Sequence, residues 1–209
     1  MIRLILIRHA LTTDNEKGRL SGHINSYISE EGKLQINKIT KYMSSESIDK
    51  IYTTPSSRTK DTVEKISKLK LIEIEEKENL REISFGDFEG ITFKEIKVKY
   101  PKEFEKMIEE GNNYRYPNGE SLIDSYERVA KEIDNIILEN DDYLNKKTIL
   151  ICSHAGTIRN IITHLISDSY KYHWNFKIDN ASITILEVDN GFTVINKMNF
   201  TDFIQFNTN

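Results

Sequence analysis

The clearest pattern in the chain is a pair of uninterrupted apolar runs at residues 4–7 and 149–152. A strand that is apolar on consecutive positions is usually buried on both faces, as strands in the middle of a parallel sheet are. The two runs therefore predict central strands over residues 1–7 and 148–152.

Apolar residues at helical spacing predict the layers that cover this sheet. Helices are expected over residues 29–45, 121–138 and 155–166, and another begins at the turn Thr54-Pro55-Ser56-Ser57. Short strands are expected at 49–53 and 71–74, and the polar residues 11–29 are expected to form a loop. The residues expected to face the core from the first two helices are Leu34, Ile36, Ile39, Met43, Val63, Ile66 and Leu69.

Near the end of the chain, alternating positions at 181–188 and 192–198 flank the sequence Asp189-Asn190-Gly191 and predict a β-hairpin. Strands that alternate with helices and end in a hairpin are typical of a three-layer α/β/α sandwich. We therefore expect an α/β fold with a mostly parallel central sheet and an antiparallel edge strand. Residues 199–209 are expected to be loosely held.

The length indicates a single domain over residues 1–209. The segment at about 80–120 is less regular than the rest, and it contains several glycine and proline positions. One or two short helices are expected around 92–111. This segment is predicted to be a lid-like insertion over one end of the sheet.

Composition excludes several classes of partner. The net charge of −4 leaves no basic excess to neutralise a nucleic-acid backbone. No apolar stretch is long enough for a membrane span, and the first run is too short for a signal-peptide core, so a cytoplasmic protein is expected. The single cysteine, Cys152, excludes an internal disulfide and a cysteine-based metal cluster and is expected to be a small core residue.

Histidine and arginine side chains follow the predicted strands. Arg8 and His9 end the first apolar run, His154 directly follows the second, and Arg58 lies early in the helix after another strand. Ligands of parallel sheets bind beyond the carboxyl ends of the strands, so these side chains are expected to converge on one cationic pocket. Arginine forks and helix N-termini bind phosphate oxygens, and the pocket therefore suits a phosphate ester.

The same residues indicate a reaction. A neutral imidazole can attack phosphorus when a backbone partner orients its ring, so we expect a covalent phosphohistidine on His9. His154 would stabilise the charge that develops on the equatorial oxygens. Glu82 is the candidate proton donor to the leaving alcohol and the later base for water. The alternatives are a capping role for His9 and a solvated surface position for Glu82. No metal-ligand spacing is present, so neither a metal nor another cofactor is expected.

These residues, in this order, resemble the histidine phosphatase superfamily, whose members have the phosphoglycerate-mutase-like fold. Residues 6–10 (LIRHA) resemble its signature strand and RHG motif. Residues 54–62 resemble its SPLxRxxxT segment, with Arg58 as the phosphate-binding arginine. Residues 80–90 resemble LxExxFGxWEG, which assigns the acid/base to Glu82.

Two later segments complete the resemblance, because residues 117–121 and 153–159 are similar to PGGES and SHGGxIR. The resemblance implies that His9, Glu82 and His154 are catalytic. The substrate-binding residues that it implies are Arg8, Asn15, Ser21, Gly22, Arg58 and Ala155.

The chain departs from the family pattern near the expected site. Ala10 and Ala155 replace glycines, and Leu11 stands where Glu or Gln is common. His23 and Asn25 stand where an aromatic residue and Asp are frequent. If the backbone at position 10 needs a positive φ, alanine there costs about 1 kcal/mol. These changes concern the substrate rim and remove no reacting side chain.

Within the family, residues 82–86 (EISFG) lack the Arg and His of the true mutases, which favours a phosphatase. The segments around 85–90 and 153–160 resemble the α-ribazole phosphatase branch of cobalamin biosynthesis, which implies α-ribazole 5'-phosphate as a substrate. Two alternatives stay open. One is a cofactor-dependent phosphoglycerate mutase, and the other is a non-catalytic phospho-ligand-binding protein. The insertion at 91–116 is expected to set the alcohol half of the substrate.

The remaining histidines have ordinary interpretations. His164 is expected to pack or to cap its helix, and His23 is expected near the pocket rim. His173 and Trp174 belong to an aromatic cluster, at 170–176, that is typical of a core or of a dimer face. A homodimer is therefore an open expectation.

Overall fold

The computed structural model describes residues 1–142 and 145–205. Its strands are β1 (Ile2–Arg8), β2 (Lys50–Thr53), β3 (Ile74–Glu76), β4 (Lys147–Ser153), β5 (Ile183–Asp189) and β6 (Phe192–Phe200). Its helices are α1 (Thr13–Glu16), α2 (Glu30–Met43), α3 (Ser57–Lys70), α4 (Phe93–Lys99), α5 (Pro101–Glu110), α6 (Leu122–Asn140), α7 (Ala155–Ser167) and α8 (Asp202–Gln205).

The strands form one sheet in the order β3-β2-β4-β1-β5-β6. Strands β1 to β4 run parallel, β5 is antiparallel to β1, and β6 is antiparallel to β5. The expected α/β fold, with a mostly parallel sheet and an antiparallel edge, is confirmed. The two apolar runs are the adjacent strands β1 and β4, which pair from Ile2 with Lys147 to Arg8 with Ser153.

The continuous apolar runs follow from burial on both faces of the sheet. Leu4, Leu6 and Ile149 lie in a core cluster with residues of α6 and α7. Ile5, Ile7 and Cys152 lie in a second cluster with residues of α2 and α3. Successive side chains of a strand point to opposite faces, so a strand between two helical layers needs an apolar residue at every position. Cys152 is a buried core residue, as expected.

The helix starts agree with the capping signals in the sequence. Ser29 accepts a hydrogen bond from the backbone N–H of Gly32, and Ser121 forms a capping box with Asp124. The predicted inward positions of α2 and α3 are confirmed except Leu34 and Leu69, which are both 54% exposed. Leu34 lies off the buried stripe, and Leu69 lies in the last turn of its helix. No helix among the described residues is both long enough and apolar enough to cross a bilayer.

A strand follows α3 as predicted, but the predicted bounds of 71–74 are wrong, because β3 begins only at Ile74 and runs to Glu76. Leu71 is the C-cap of the helix, with φ +57° and 91% exposure. A short apolar stretch after a helix can be mistaken for a strand because it lacks a period of its own.

The polar loop at 11–29 contains the short helix α1. The end of the chain is more ordered than expected over residues 199–205. Here β6 runs to Phe200, and Phe203 and Ile204 of α8 pack against the second core cluster. The rest of that expectation, for residues 206–209, lies outside the described residues.

The segment between β3 and α6 contains the two short helices expected there, α4 and α5, followed by a 3₁₀ turn at Gly111–Asn113. Phe88, Ile96 and Tyr114 form a small apolar cluster of their own in this segment. The segment therefore has a separate packing centre beside the sheet. Its role as a mobile lid stays a prediction.

Replacing Leu71 with Gly is expected to raise the free energy of unfolding by about 0.5 to 1 kcal/mol, because glycine adopts a positive φ without steric strain. Little packing is lost, since the side chain is 91% exposed. Urea denaturation measures the change. The matched control is Leu69→Gly inside α3, which should lower stability by about 1 kcal/mol. If both substitutions lowered stability to the same degree, the positive φ of Leu71 would not be a source of strain.

Candidate active site

Three adjacent parallel strands end at one level of the sheet. Arg8 pairs with Ser153, and Thr53 pairs with Cys152, in the register of β1, β4 and β2. The residues that follow these strands are His9, His154 and Thr54, and the backbone N–H of His9 donates to the carbonyl of Ser153 at 3.0 Å. Register alone therefore brings the two predicted histidines together, with ring centroids 5.3 Å apart.

The ring of His9 has a fixed orientation and proton position. Its Nδ1 lies 2.8 Å from the carbonyl oxygen of Ala10, and because a carbonyl only accepts, Nδ1 carries the hydrogen. Burial, and the positive charges of Arg58 and Arg8, hold the pKa of His9 well below its usual value of 6.5. The imidazole is therefore neutral near pH 7, and Nε2 presents its lone pair as a nucleophile.

His154 is held by a residue that sequence analysis treated only as part of a turn. Its Nε2 lies 3.1 Å from the hydroxyl of Thr54, which also contacts the hydroxyl of Thr59 at 3.0 Å. Burial, then Arg58 and His9, keep the pKa of His154 well below 6.5. If Thr54 donates its proton to Nε2, the ring hydrogen of His154 lies on Nδ1, which is then a donor.

Arg58 is buried at 1% exposure, and backbone carbonyls fix its guanidinium. It donates to the carbonyls of Ser21 at 2.7 Å, Gly22 at 2.8 Å and Ile24 at 3.0 Å. Arg8 donates to the carbonyl of Ile178 at 2.7 Å, and burial lowers the pKa of Arg8 to about 10. Both arginines stay charged at neutral pH, so they supply a fixed positive field to the two imidazoles.

Three buried nitrogens of this cluster have no hydrogen-bond partner within the described residues: Nε of Arg8, Nε of Arg58 and Nδ1 of His154. Buried donors without partners destabilise a fold, and several in one cluster indicate a ligand with acceptor atoms. All three residues also interact electrostatically with His9 or with one another. An oxyanion such as a phosphoryl group fits this donor set.

The remaining substrate-binding residues expected from the resemblance lie around the cluster. The carbonyls of Ser21 and Gly22 are used by Arg58, whereas the buried hydroxyl of Ser21 has no partner among the described residues. Asn15 accepts from Asn180 at 3.0 Å, and the same amide of Asn180 donates to the carbonyl of His9 at 3.2 Å. Asn15 thus connects to the backbone at His9, and direct contact with a substrate stays a prediction.

Glu82 lies where the irregular segment meets the start of α7. One of its carboxylate oxygens accepts from the backbone N–H of Ile83 and the other from that of Gly156, both at 3.1 Å. A Cβ atom at position 156 would overlap the carboxylate. Burial lowers the pKa values of Arg8 and Arg58, and the negative charge of Glu82 partly offsets that lowering, so this carboxylate is within electrostatic reach of both.

The backbone around Glu82 is held by a residue on α6. Arg128 donates to the carbonyls of Asn79 at 2.7 Å, Arg81 at 2.9 Å and Glu82 at 3.0 Å. Arg128 also pairs with Glu120 at 2.7 Å. The sequence pattern does not indicate a role for Arg128, because one arginine on the polar face of an amphipathic helix has no distinguishing spacing or motif.

Glu89 joins the two loops of the site. Its carboxylate accepts from the backbone N–H groups of His23 at 2.8 Å, Ile24 at 2.7 Å and Phe85 at 3.2 Å. Its charge also partly offsets the lowering of the Arg58 pKa that burial causes. One side chain therefore couples the segment that fixes Arg58 to the segment that carries the acid/base candidate.

A cavity of about 420 Å³ begins beside Glu82, Ala155 and Gly156 and extends toward the insertion. Its walls are mainly aromatic and apolar, and they include Phe85, Phe93, Met107, Tyr114, Tyr116 and Trp174. His173 also lines the cavity. His173 and Trp174 were expected in a core or dimer face, and their contact with the cavity was not expected. The sequence does contain a signal for Arg159. It follows Ala155 by four residues, so both lie on one face of the helix, and both line the cavity.

The alanines that replace family glycines cause no backbone strain. Ala10 and Ala155 are absent from the described residues with positive φ, so the conditional cost at Ala10 does not arise. Instead, the backbone N–H of Ala10 donates to the hydroxyl of Thr62 at 3.0 Å. No group of three His, Cys, Asp or Glu side chains in the described ranges is arranged to hold a metal ion.

Comparison with known proteins agrees with this geometry. A family model described as the histidine phosphatase superfamily (branch 1) matches residues 4–201. Phosphoserine phosphatase 1 of Hydrogenobacter thermophilus is 31% identical over 201 residues, which cover 96% of this chain and 93% of that protein. A phosphoserine phosphatase of Entamoeba histolytica, solved in complex with 3-phosphoglyceric acid, superposes with a TM-score of 0.82 and 26% identity over 98% of this chain and 100% of that chain. The α-ribazole phosphatase of Shigella flexneri has a TM-score of 0.87 at 23% identity over 95% of this chain and 96% of that chain, a likeness of fold alone.

Replacing Gly156 with Ala is expected to displace the carboxylate of Glu82 and to lower kcat on the order of 100-fold, as misplacement of a catalytic group by about 1 Å does. Alanine favours helix formation over glycine, so stability should not fall for a conformational reason. Phosphatase assays and thermal melting measure the two effects. The control is Gly191→Asn in the β5–β6 hairpin, at φ +79° with no atom near its Cβ position, which should leave kcat unchanged. An unchanged kcat in Gly156→Ala would show that the missing side chain at position 156 is not needed to place the carboxylate of Glu82.

The buried histidines predict lower stability in acid. In the folded protein His9 and His154 stay neutral below pH 6.5, whereas in the unfolded chain each binds a proton there. Acid therefore favours the unfolded chain. The free energy of unfolding should be constant for these groups above about pH 7 and fall by up to about 1.4 kcal/mol per pH unit for each histidine below about pH 6. Urea denaturation from pH 7.5 to 5 tests this, and His9→Gln should show a shallower slope. Equal slopes for both proteins would refute the lowered pKa of His9.

Proposed function

The chain belongs to the histidine phosphatase superfamily, and from that premise we propose that it is a metal-independent phosphomonoesterase acting through a phosphohistidine on His9. Its substrates would be small phosphorylated metabolites. The observation that carries the proposal is the neutral ring of His9 beside two buried arginines, with Nδ1–H bonded to the carbonyl of Ala10 and Nε2 without a hydrogen-bond partner among the described residues.

In the first half of the reaction, Nε2 of His9 attacks phosphorus, and the bond from phosphorus to the ester oxygen breaks. The leaving oxygen takes a proton from the carboxyl group of Glu82. The positive charge that develops on the imidazole is stabilised through Nδ1–H by the Ala10 carbonyl. Arg8, Arg58 and His154 stabilise the charge on the equatorial oxygens.

In the second half, the carboxylate of Glu82 takes a proton from water, and the resulting hydroxide attacks the phosphohistidine. The phosphorus–nitrogen bond breaks, which releases inorganic phosphate and restores the neutral ring of His9. Glu82 ends protonated, ready for the next substrate. The location of Glu82 between Gly156 and the cavity supports this double role, because the alcohol and the water would use the same space.

Two observations favour different alcohols for the ester. The sequence resemblance favours α-ribazole 5'-phosphate and a place in cobalamin biosynthesis. The curated relative with 31% identity is named a phosphoserine phosphatase. The aromatic cavity has room for either alcohol, so we propose only the broader class, a small-molecule phosphate ester. We also propose that the insertion covers this cavity and sets the choice of alcohol.

The test is hydrolysis of p-nitrophenyl phosphate with a chelator present. Wild type should turn over, whereas His9→Ala should lose about 10⁴-fold or more, as expected for removal of a nucleophile. Brief incubation with a radiolabelled phosphate ester, followed by alkaline quenching and digestion because phosphohistidine is hydrolysed in acid, should leave labelled phosphate on the peptide that contains His9. The control is Lys33→Gln on the exposed side of α2.

Other outcomes would identify the alternatives. Equal turnover by wild type and His9→Ala would reject the phosphohistidine mechanism. Isomerisation of phosphoglycerates that depends on a bisphosphorylated primer would indicate a mutase. Tight binding of phosphate esters without turnover or a trapped phosphohistidine would indicate a binding protein.

A further inference from the structure

The cavity beside Glu82 has one charged group besides Glu82 itself. Among the described residues that line it, Arg159 is the only lysine or arginine. Arg159 lies on α7, one turn beyond Ala155 and Gly156, so its side chain is on the face of the helix that lines the cavity. The leaving alcohol of the proposed reaction would enter this space, and Arg159 would lie along its path.

The guanidinium of Arg159 is anchored at one edge only. Its Nε donates to the carbonyl of Phe176 at 2.8 Å, and the group lies 5.4 Å from the centre of the Trp174 ring. In the part of the chain that the structure describes, this is its only hydrogen bond, and no carboxylate pairs with it. Partial burial lowers the pKa of Arg159, although Glu82 raises it. A half-buried cation without an ion-pair partner is a ready site for an anion.

Glu82 does not supply that anion. No hydrogen bond or ion pair joins Glu82 to Arg159 among the described residues, and its two oxygens accept backbone hydrogen bonds from Ile83 and Gly156 instead. The other lining groups near Arg159 are aromatic rings and polar neutral side chains. The two terminal nitrogens of Arg159 make no hydrogen bond within the described residues, so they remain as donors that could bind a carboxylate in this cavity with two hydrogen bonds.

His173 adds a second polar group to the same wall. Its Nδ1 lies 2.7 Å from Oδ1 of Asn160, whose amide nitrogen contacts the hydroxyl of Ser125 at 3.3 Å, so Nδ1 of His173 is the donor. Burial and the charge of Arg159 lower the pKa of His173 to about 3, so the ring is neutral and Nε2 can only accept. A hydroxyl or ammonium group next to the anion would suit it.

We propose that Arg159 forms a carboxylate subsite, so that the preferred substrates are phosphate esters of hydroxy acids. The inference rests on the proposed phosphomonoesterase function and deepens it. One unit of positive charge in an otherwise apolar wall matches a carboxylate monoanion, whereas a second phosphate group would bring about two negative charges against one arginine. An uncharged alcohol half, such as that of α-ribazole 5'-phosphate, would bury Arg159 further without a partner.

The experiment compares two pairs of substrates that differ only in the carboxylate. O-phosphoserine is paired with O-phosphoethanolamine, and 4-carboxyphenyl phosphate with phenyl phosphate, so that short and long spacings are both covered. Wild type should prefer the carboxylated member in at least one pair. Arg159→Leu should lose about 10- to 100-fold in kcat/KM for that member, the effect of removing a charged hydrogen-bond pair. It should lose less than about 3-fold for the uncharged member.

Controls separate this inference from folding and from the basic reaction. Arg159→Lys should keep part of the preference, and thermal melting checks that each variant is folded. Arg3→Leu, at the opposite end of β1, should keep the wild-type ratios. Equal losses on both members of each pair, or no preference in wild type while p-nitrophenyl phosphate is hydrolysed, would overturn the carboxylate subsite and leave the phosphatase proposal standing. Failure of wild type to hydrolyse p-nitrophenyl phosphate would remove the phosphatase proposal and this inference with it.

Discussion

The structure depends on burying two neutral imidazoles and two charged guanidinium groups at one end of a parallel sheet. In a low-dielectric site, positive charges close to an imidazole disfavour its protonation, and burial acts in the same direction. His9 and His154 are therefore uncharged without the need for a base beside them. The arginines keep their charge because carbonyl groups of nearby loops accept from them. The cluster thus has an unbalanced positive field, and an oxyanion is the ligand that completes it.

The loops around this field are organised mainly by charged side chains that bind backbone groups. Arg58 donates hydrogen bonds to backbone carbonyls within residues 21–24, and Arg128 donates to backbone carbonyls within residues 79–82. Glu89 accepts hydrogen bonds from backbone N–H groups of two segments. Such bonds replace the regular ladders that loops lack, and a charged partner makes them stronger than neutral hydrogen bonds. Glu82 gains a defined position in this way although it lies outside any helix or strand. The acid/base geometry is thus a property of three coupled loops, and Gly156 gives the carboxylate room.

The cavity next to Glu82 has a different character from the phosphoryl end. Its aromatic walls come largely from the insertion, whose own apolar cluster supports them. Under the proposed function, the fixed charge at one end would bind any phosphoryl group, whereas the cavity shape and Arg159 would discriminate between alcohols. The chemistry and the choice of alcohol would then depend on different segments of the chain.

The sequence by itself determined the sheet and the helices that cover it, and it identified the candidate reacting side chains. Continuous apolar runs fixed β1 and β4 as central strands, and the order of the motifs identified the family. Short, weakly periodic stretches could not be predicted accurately from the sequence. The strand expected at 71–74 begins only at Ile74, because Leu71 ends a helix. The residues up to Gln205 are more ordered than expected. Helical spacing from Ala155 already indicates the face of α7 that carries Arg159. Only the tertiary structure decided that Thr54 holds His154, that Glu89 and Arg128 fix the loops, and that His173 lines the cavity. Those relations join residues far apart in the chain through single hydrogen bonds, which leave no periodic trace in a sequence, whereas burial on two faces of a strand must appear at every position.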